Sequence, residues 1–325
     1  MENKKIIAVV GATGAQGRGL VQAILNDGKG EFGVRAIVRD INSAKAKELK
    51  GQGAELVQAN LDDKASLIKA FKGAYGAYCV TFFWEHMSPE KESQHAKNLA
   101  EAAKETHLQH VIWSTLEDTR KWIPLSDKRM PTLMEKYKVP HFDVKGESNS
   151  YFEKSGVPYT LFLTSFYWEN FIHFGMGPKR GPDGKLALIL PMGDKRLPSI
   201  ASDDIGKCAY GIFKAGKKYQ GKIVGVCGEQ TTVKEMADTF TKIFEVPVGY
   251  NKVSAEEYRG FGFPGADDLG NMFQFNQEFE ADFCKARDVK VAKELNPQLL
   301  SLETWLKQNK SKLMSDIIGE TAATT

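Results

Sequence analysis

Ile6-Ile7-Ala8-Val9-Val10-Gly11-Ala12-Thr13-Gly14-Ala15-Gln16-Gly17 is an apolar run that breaks straight into three glycines at three-residue spacing. An unbroken Ile/Val run is the pattern of a parallel strand buried on both faces. The turn after it needs Gly11 where the chain bends tightly and Gly14 where the backbone approaches a pyrophosphate. Gly17 lets the following helix pack against the strand, and the first N–H groups of that helix face the phosphates. A glycine fingerprint alone is weak. Here the strand before it and the amphipathic Leu20-Val21-Gln22-Ala23-Ile24-Leu25 after it supply the context of a dinucleotide site.

Outward from this turn, strand and helix patterns alternate with short connections. Apolar runs at 34–38, 54–58, 77–81, 110–114 and 159–164 read as strands. Helices are expected at 43–50, closed by Gly51, at 63–72, from the Ser88-Pro89 start to Thr106, and at 141–155. Such alternation builds an α/β fold, a Rossmann-type doubly wound parallel sheet. After Thr164 the rhythm becomes irregular. A Pro-Asp-Gly turn precedes 186–190, Ser202-Asp203-Asp204 is expected to cap a helix through Phe213, and helices follow at 232–245, at 266–285 and from Ser301 to about Lys312. The expected division is a cofactor-binding domain at 1–164 and a smaller, mainly helical C-terminal substrate or partner lobe at 165–325. That lobe lends an element or two back to the sheet. Residues 314–325 are expected to be disordered.

The composition narrows the class. The chain has 325 residues, 42% of them hydrophobic, enough for a substantial core, and its net charge of +3 gives no signal for direct nucleic-acid binding. Four scattered cysteines with no Cys-x-x-Cys pair read as reduced, mostly buried thiols. No signal peptide, membrane span or lipidation motif is read, so a cytoplasmic protein is expected, with the nucleus left open. His107-Leu-Gln-His110 bridges a helix end and a strand without a carboxylate or thiol in pattern, and no metal site is expected.

Two positions bear on the choice of cofactor and its chemistry. The second strand ends at Arg39, where NAD-preferring sites usually carry an acid that bonds the ribose 2′-hydroxyl. A guanidinium there grips a 2′-phosphate instead, with Ser43 and Lys45 as helpers and Asp40 turned outward, so NADP(H) is the expected cofactor. Short-chain dehydrogenases need Tyr and Lys four residues apart on a helix, the Lys lowering the phenol's pKa. Here Lys145 stands at the lysine position and Ser114 at the assisting serine, but the tyrosine position holds His141. Imidazole serves as an acid near neutrality. A histidine at a helix start also serves as a cap or a packed side chain, and both readings stand. Lys145 is expected on the nicotinamide ribose. The aromatic runs Phe82-Phe83-Trp84 and Phe166-Tyr167-Trp168 line a cavity or pack a core, which sequence does not separate.

Gly11 to Gly17, Arg39, Val80-Thr-Phe-Phe-Trp-Glu85, His141-Phe-Asp-Val-Lys-Gly-Glu147, Tyr167-Trp-Glu-Asn-Phe171 and Gly262-Phe-Pro-Gly-Ala266 together resemble the NmrA-like family, atypical members of the short-chain dehydrogenase/reductase superfamily. The resemblance runs from about residue 4 to about 312, and is nearest to the family's NADPH-sensor branch. It implies a pyrophosphate on Gly11, Ala12, Thr13, Gly14, Ala15, Gln16 and Gly17, the adenosine phosphate on Arg39 and Ser43, and adenine beside Asn60 and Leu61. It further implies Thr81, Phe82 and Phe83 beside the nicotinamide ribose with Lys145 on its hydroxyls, and Tyr167, Trp168, Glu169 and Asn170 closing the nicotinamide end. Ser43 and Gln94 stand where relatives can carry basic residues, which weakens the phosphate grip.

Three readings follow. The first is an NADP(H)-binding redox sensor that regulates protein partners through cofactor-dependent binding. The second is an NADPH-dependent reductase of quinones or similar acceptors, in which Lys145 and His141 would be catalytic. The third is a scaffold with a structural nucleotide. A small aromatic or quinone ligand and a homodimer are compatible with the first two.

Overall fold

The apolar runs of the first half become strands β1 (Lys5–Val10), β2 (Phe32–Val38), β3 (Glu55–Gln58), β4 (Gly76–Cys79), β5 (His110–Thr115) and β6 (Tyr159–Leu163). They are seen in a computed structural model that describes residues 4–322, with side chains described to residue 315. Between them lie α1 (Ala15–Asn26), α2 (Ala44–Gly51), α3 (Lys64–Phe71), the one-turn α4 (Phe83–His86), α5 (Pro89–Glu105) and α6 (Pro140–Glu153). Then come β7 (Phe166–Tyr167), α7 (Asn170–His173), β8 (Lys179–Arg180), β9 (Leu186–Leu188), β10 (Arg196–Ile200) and α8 (Ser202–Ala215). The chain continues through β11 (Lys222–Gly225), β12 (Glu229–Thr232), α9 (Val233–Phe244), β13 (Val248–Tyr250) and α10 (Ala255–Arg259). It ends with α11 (Ala266–Glu278), α12 (Glu280–Lys285), α13 (Val289–Leu295) and α14 (Leu302–Ala322).

The main sheet has seven strands in the order β11-β6-β5-β4-β1-β2-β3, every neighbouring pair parallel. This is the doubly wound Rossmann arrangement. The order reverses between β1 and β4, so the ligand crevice opens at the C-terminal ends of those two strands. Alternation along β1 explains its unbroken apolar sequence. Ile7 and Val9 pack with Leu20 and Ile24 of α1 and Ile205 of α8, while Ala8 and Val10 pack with Phe71, Leu99 and Trp113 on the opposite face.

A third core belongs to the C-terminal part. Trp168, Phe171, Phe240, Phe273 and Trp305 meet there beneath two small sheets, β12-β10-β7 and β13-β9-β8. The expected Pro-Asp-Gly hairpin joins β8 to β9. The later half does lend elements to the first: β11 extends the main sheet and α8 lies across α1. The crossing is close because both helices are bare at the contact. A Cβ on Gly19 would collide with the backbone of Asp203, and one on Gly206 with the backbone at Leu20.

Three local expectations are corrected. The N-cap of α8 is Ala201, with Ser202 already helical, and the Ser202 N–H is taken instead by the Glu169 carboxylate at 2.8 Å. The helix expected over 266–285 breaks at Phe279 into α11 and α12. The segment expected to be disordered from 314 is helical to Ala322, and 323–325 lie outside the described residues. Among the described residues no helix is long and apolar enough to cross a membrane.

Candidate functional site

The glycine turn is built as its spacing requires. Gly11 has φ +66°, a left-handed conformation that glycine adopts at no steric cost, and accepts the Gly14 N–H at 2.8 Å. Gly14 caps α1, whose first turn holds no acidic residue. A Cβ on Gly14 would stand 3.2 Å from the Gly11 carbonyl and fill the hollow over the turn, while one on Gly17 would run into that carbonyl. Ala12 is buried under the turn and Ala15 is exposed at its edge. The unsatisfied N–H groups at the start of α1 therefore face a concave, anion-attracting surface, which fits a pyrophosphate.

Beyond the glycine turn, Arg39 follows β2 and is largely exposed. Its guanidinium is paired with Glu85 at the end of α4, and its carbonyl accepts the Gln58 side chain at 2.9 Å. Asp40 accepts the Asn42 N–H at 2.8 Å and so belongs to its own turn. Ser43 caps α2, accepting from the Ala46 N–H at 3.3 Å while donating to the Asp40 carbonyl at 3.0 Å. Asn60 and Leu61 follow β3 on the same rim. The Asn60 amide oxygen is occupied by the Asp62 N–H at 3.1 Å, and the Leu61 carbonyl accepts from Asn98 at 2.7 Å.

The middle of the crevice holds a buried ion pair that sequence reasoning missed. Lys145 Nζ lies 2.8 Å from the fully buried Glu92 carboxylate and donates to Thr81 Oγ1 at 2.6 Å and to the Thr81 carbonyl at 3.2 Å. Thr81 Oγ1 donates in turn to Glu92 at 2.5 Å, and the ammonium rests 5.1 Å from the centre of the Trp113 ring. Burial opposes a charge on Glu92. The Lys145 ammonium, with hydrogen bonding from His86, Lys145 and Thr81, outweighs it and holds the carboxyl down at about 2. Phe82 stands exposed beside this group, whereas Phe83 is packed on Tyr137 and Val144 as core.

Four residues before Lys145, His141 is buried and committed. Its Nδ1 lies 2.7 Å from Asp268 of α11, whose carboxylate also accepts the His141 N–H at 3.2 Å, and its ring packs 4.7 Å from Trp84. The packed reading of this histidine is the one seen. Ser114 is committed as well. Its hydroxyl donates to Gln16 Oε1 at 2.7 Å, an oxygen that also accepts from Tyr78. Gln16 Nε2 donates to Tyr167 at 2.5 Å, and Tyr167 pairs with Thr164 at 3.2 Å.

The four residues 167–170 are placed differently from one another. Tyr167 reaches the crevice through Gln16, but Trp168 is fully buried, donates to Ser199 at 2.8 Å and stacks toward Trp305. Glu169 is spent on the start of α8 and on the Trp305 indole at 3.0 Å, and Asn170 begins α7. His110 is buried on Thr160 at 2.8 Å, and burial pushes its pKa down to about 4.

Glu92 and Asp268 had a signal in the sequence. Glu92 shares a helical stripe with Ala96, Leu99 and Ala103, and Asp268 shares one with Met272 and Phe275, all buried. A carboxylate on an apolar stripe demands a buried partner.

The NmrA-like family model matches residues 3–314. Among curated proteins, the NmrA-like family domain-containing oxidoreductase ptmS of Penicillium ochrochloron is 27% identical over 319 residues, covering 90% of each chain. Among solved structures, that of NmrA, a negative transcriptional regulator, in complex with NADP has TM-score 0.77 at 23% identity, covering 94% of this chain and 95% of its own. The Citrobacter sp. triphenylmethane reductase complexed with NADP(H) has TM-score 0.73 at 19% identity, covering 94% and 99%. Both structural likenesses are likenesses of fold.

Proposed function

Because the chain belongs to the NmrA-like family, we propose that it is an NADP(H)-binding regulator whose cofactor occupancy tunes its binding to protein partners. The glycine turn supplies the pyrophosphate site, Arg39 the 2′-phosphate contact, and Lys145 the contact to the nicotinamide ribose. One observation carries the regulatory half of the reading. The residue at the acid's position, His141, is bound to Asp268 of the C-terminal lobe, so the place where a dehydrogenase keeps its proton donor is here a joint between the two halves. A second joint lies beside it. Gly265, at φ +84°, leaves the space that the Trp84 ring of α4 fills. α4 follows Thr81 and Phe82 and sets Glu85, next to its last residue, on Arg39, so it borders both the adenosine and nicotinamide ends. A cofactor whose affinity differs between two positions of α4 shifts the lobe that α4 and α6 hold, as regulation requires.

The second reading, an NADPH-dependent reductase of quinones or similar acceptors, draws on the retained Lys145 and on relatives named as oxidoreductases. Hydride delivery to a quinone does not need the tyrosine, since water supplies the proton.

Calorimetric titration with NADPH, NADP⁺, NADH and NAD⁺, followed by a quinone panel with the preferred cofactor, separates the two. Selective binding of the phosphorylated cofactors without turnover is the expected result. Steady cofactor oxidation by a quinone, abolished in Lys145→Met, replaces the regulator with the enzyme.

A further inference from the structure

The joint between α4 and α5 carries a cluster that shares only Glu92 with the cofactor crevice. His86 ends α4, and Glu92 and His95 stand one turn apart on the same side of α5. One ligand atom from each of His86, Glu92 and His95 lies within 4.8 Å of the others, and His86 Nε2, Glu92 Oε2 and His95 Nδ1 are the buried atoms that face this space. All three atoms are buried, and apart from the 3.3 Å approach of His86 Nε2 to Glu92 Oε2 none of them meets a partner. Glu92 is 0% and His95 6% exposed, so these are groups withdrawn from water and aimed at one point.

The other atoms of the same side chains are fixed. His95 Nε2 is held by Asp62 at 2.8 Å, which leaves the Nδ1 lone pair facing inward. This carboxylate–imidazole arrangement is the one that orients histidine ligands. Glu92 Oε1 is taken by Lys145 and Thr81, leaving Oε2 to face His86. His86 Nε2 and Glu92 Oε2 are already 3.3 Å apart, the spacing of about 3.3 Å that bonds of about 2.0–2.1 Å subtend at a tetrahedral centre.

We propose that His86, Glu92 and His95 form a divalent-metal site of zinc type, with a fourth position for water or an exogenous ligand. Two imidazoles and one carboxylate are a zinc ligand set, whereas no metal was expected from the sequence. The competing occupant is a water molecule. While the Ser88 N–H points at His86 Nδ1, at 3.1 Å, the ring keeps its proton on Nε2, and one donor facing two acceptors suits a water. Metal binding moves that proton to Nδ1 and breaks the Ser88 contact. The joint around Met87, already at φ +51°, therefore moves when the metal binds. Glu92 then bridges the ion to Lys145.

The test uses the untagged full-length protein, stripped with a chelator and titrated with Zn²⁺ alone in a calorimeter, with Co²⁺ as the spectroscopic probe. The expected result is one equivalent bound with Kd below about 1 μM and the visible absorption of a tetrahedral Co²⁺ site. His86→Ala and His95→Ala each lose about 100-fold in affinity, and His107→Ala binds like the wild type. If His95→Ala does not fold, His86→Ala decides, its side chain lying nearest the surface of the three. Absence of saturable binding at one equivalent overturns the proposal. So does equal binding by wild type and His86→Ala, or a crystal structure from zinc-containing buffer with a water among the three atoms. No cofactor enters these measurements, so failure of the NADP(H) reading does not affect them.

Discussion

Lys145 and Glu92 show how far one residue's role depends on its partner. With Lys145 removed, a carboxylate that is fully buried loses the ammonium beside it. Lys145→Met is therefore expected to cost roughly 3–5 kcal/mol of stability, and Glu92→Gln in the same chain to restore more than half of it, both read by urea unfolding. Loss of cofactor binding in the single variant belongs to the ribose contact only where the double variant, refolded to near wild-type stability, shows the same loss. Lys145 was legible in the sequence because its spacing from position 141 lies within one helix. The partner of His141 was not legible, because Asp268 stands 127 residues away and only tertiary folding brings it near.

Among the elements, α1 and α8 depend on each other more than on their own caps. Gly206 of α8 faces the α1 backbone at Leu20, with no room for a methyl group. Gly206→Ala should push the helices apart and lower the unfolding free energy by about 3 kcal/mol, while Gly184→Ala, where no neighbour is close, serves as the comparison for a glycine in a strained turn. An unchanged melting temperature in Gly206→Ala removes the close crossing from the account. The parallel strands were legible since burial on both faces leaves an unbroken apolar run. The start of α8 was not, because its capping carboxylate comes from Glu169 on another segment. Nor was the break at Phe279, where an aromatic repeat continues across a turn that the backbone does not continue.

Across the molecule, three cores are joined by polar groups held away from water. Arg287, fully buried, pairs with Glu117 through two bonds of 2.6 and 2.8 Å and donates to the Thr164 carbonyl at 2.6 Å, tying the C-terminal part to the ends of β5 and β6. His110 contributes to the acid response of this assembly. Burial lowers its pKa from 6.5 to about 4, so the unfolded chain binds its proton first. The stability it contributes is complete above about pH 6.5 and is lost as the pH falls toward 4, amounting to about 2 kcal/mol by pH 5. Urea unfolding at pH 7 and pH 5 should show this loss in the wild type and a flatter profile in His110→Asn. Equal slopes would remove His110 from the acid response.

Ser114 has one hydrogen to give, and it is given to Gln16 Oε1, as is that of Tyr78. A ketone brought to the end of β5 would meet oxygen lone pairs there, and its own oxygen would be repelled just as negative charge grew on it. On the reductase reading, the crevice would discriminate by where an acceptor stores its electrons. A molecule that spreads an incoming hydride's charge over a conjugated ring needs nothing from that serine, and an isolated carbonyl needs what has already been spent.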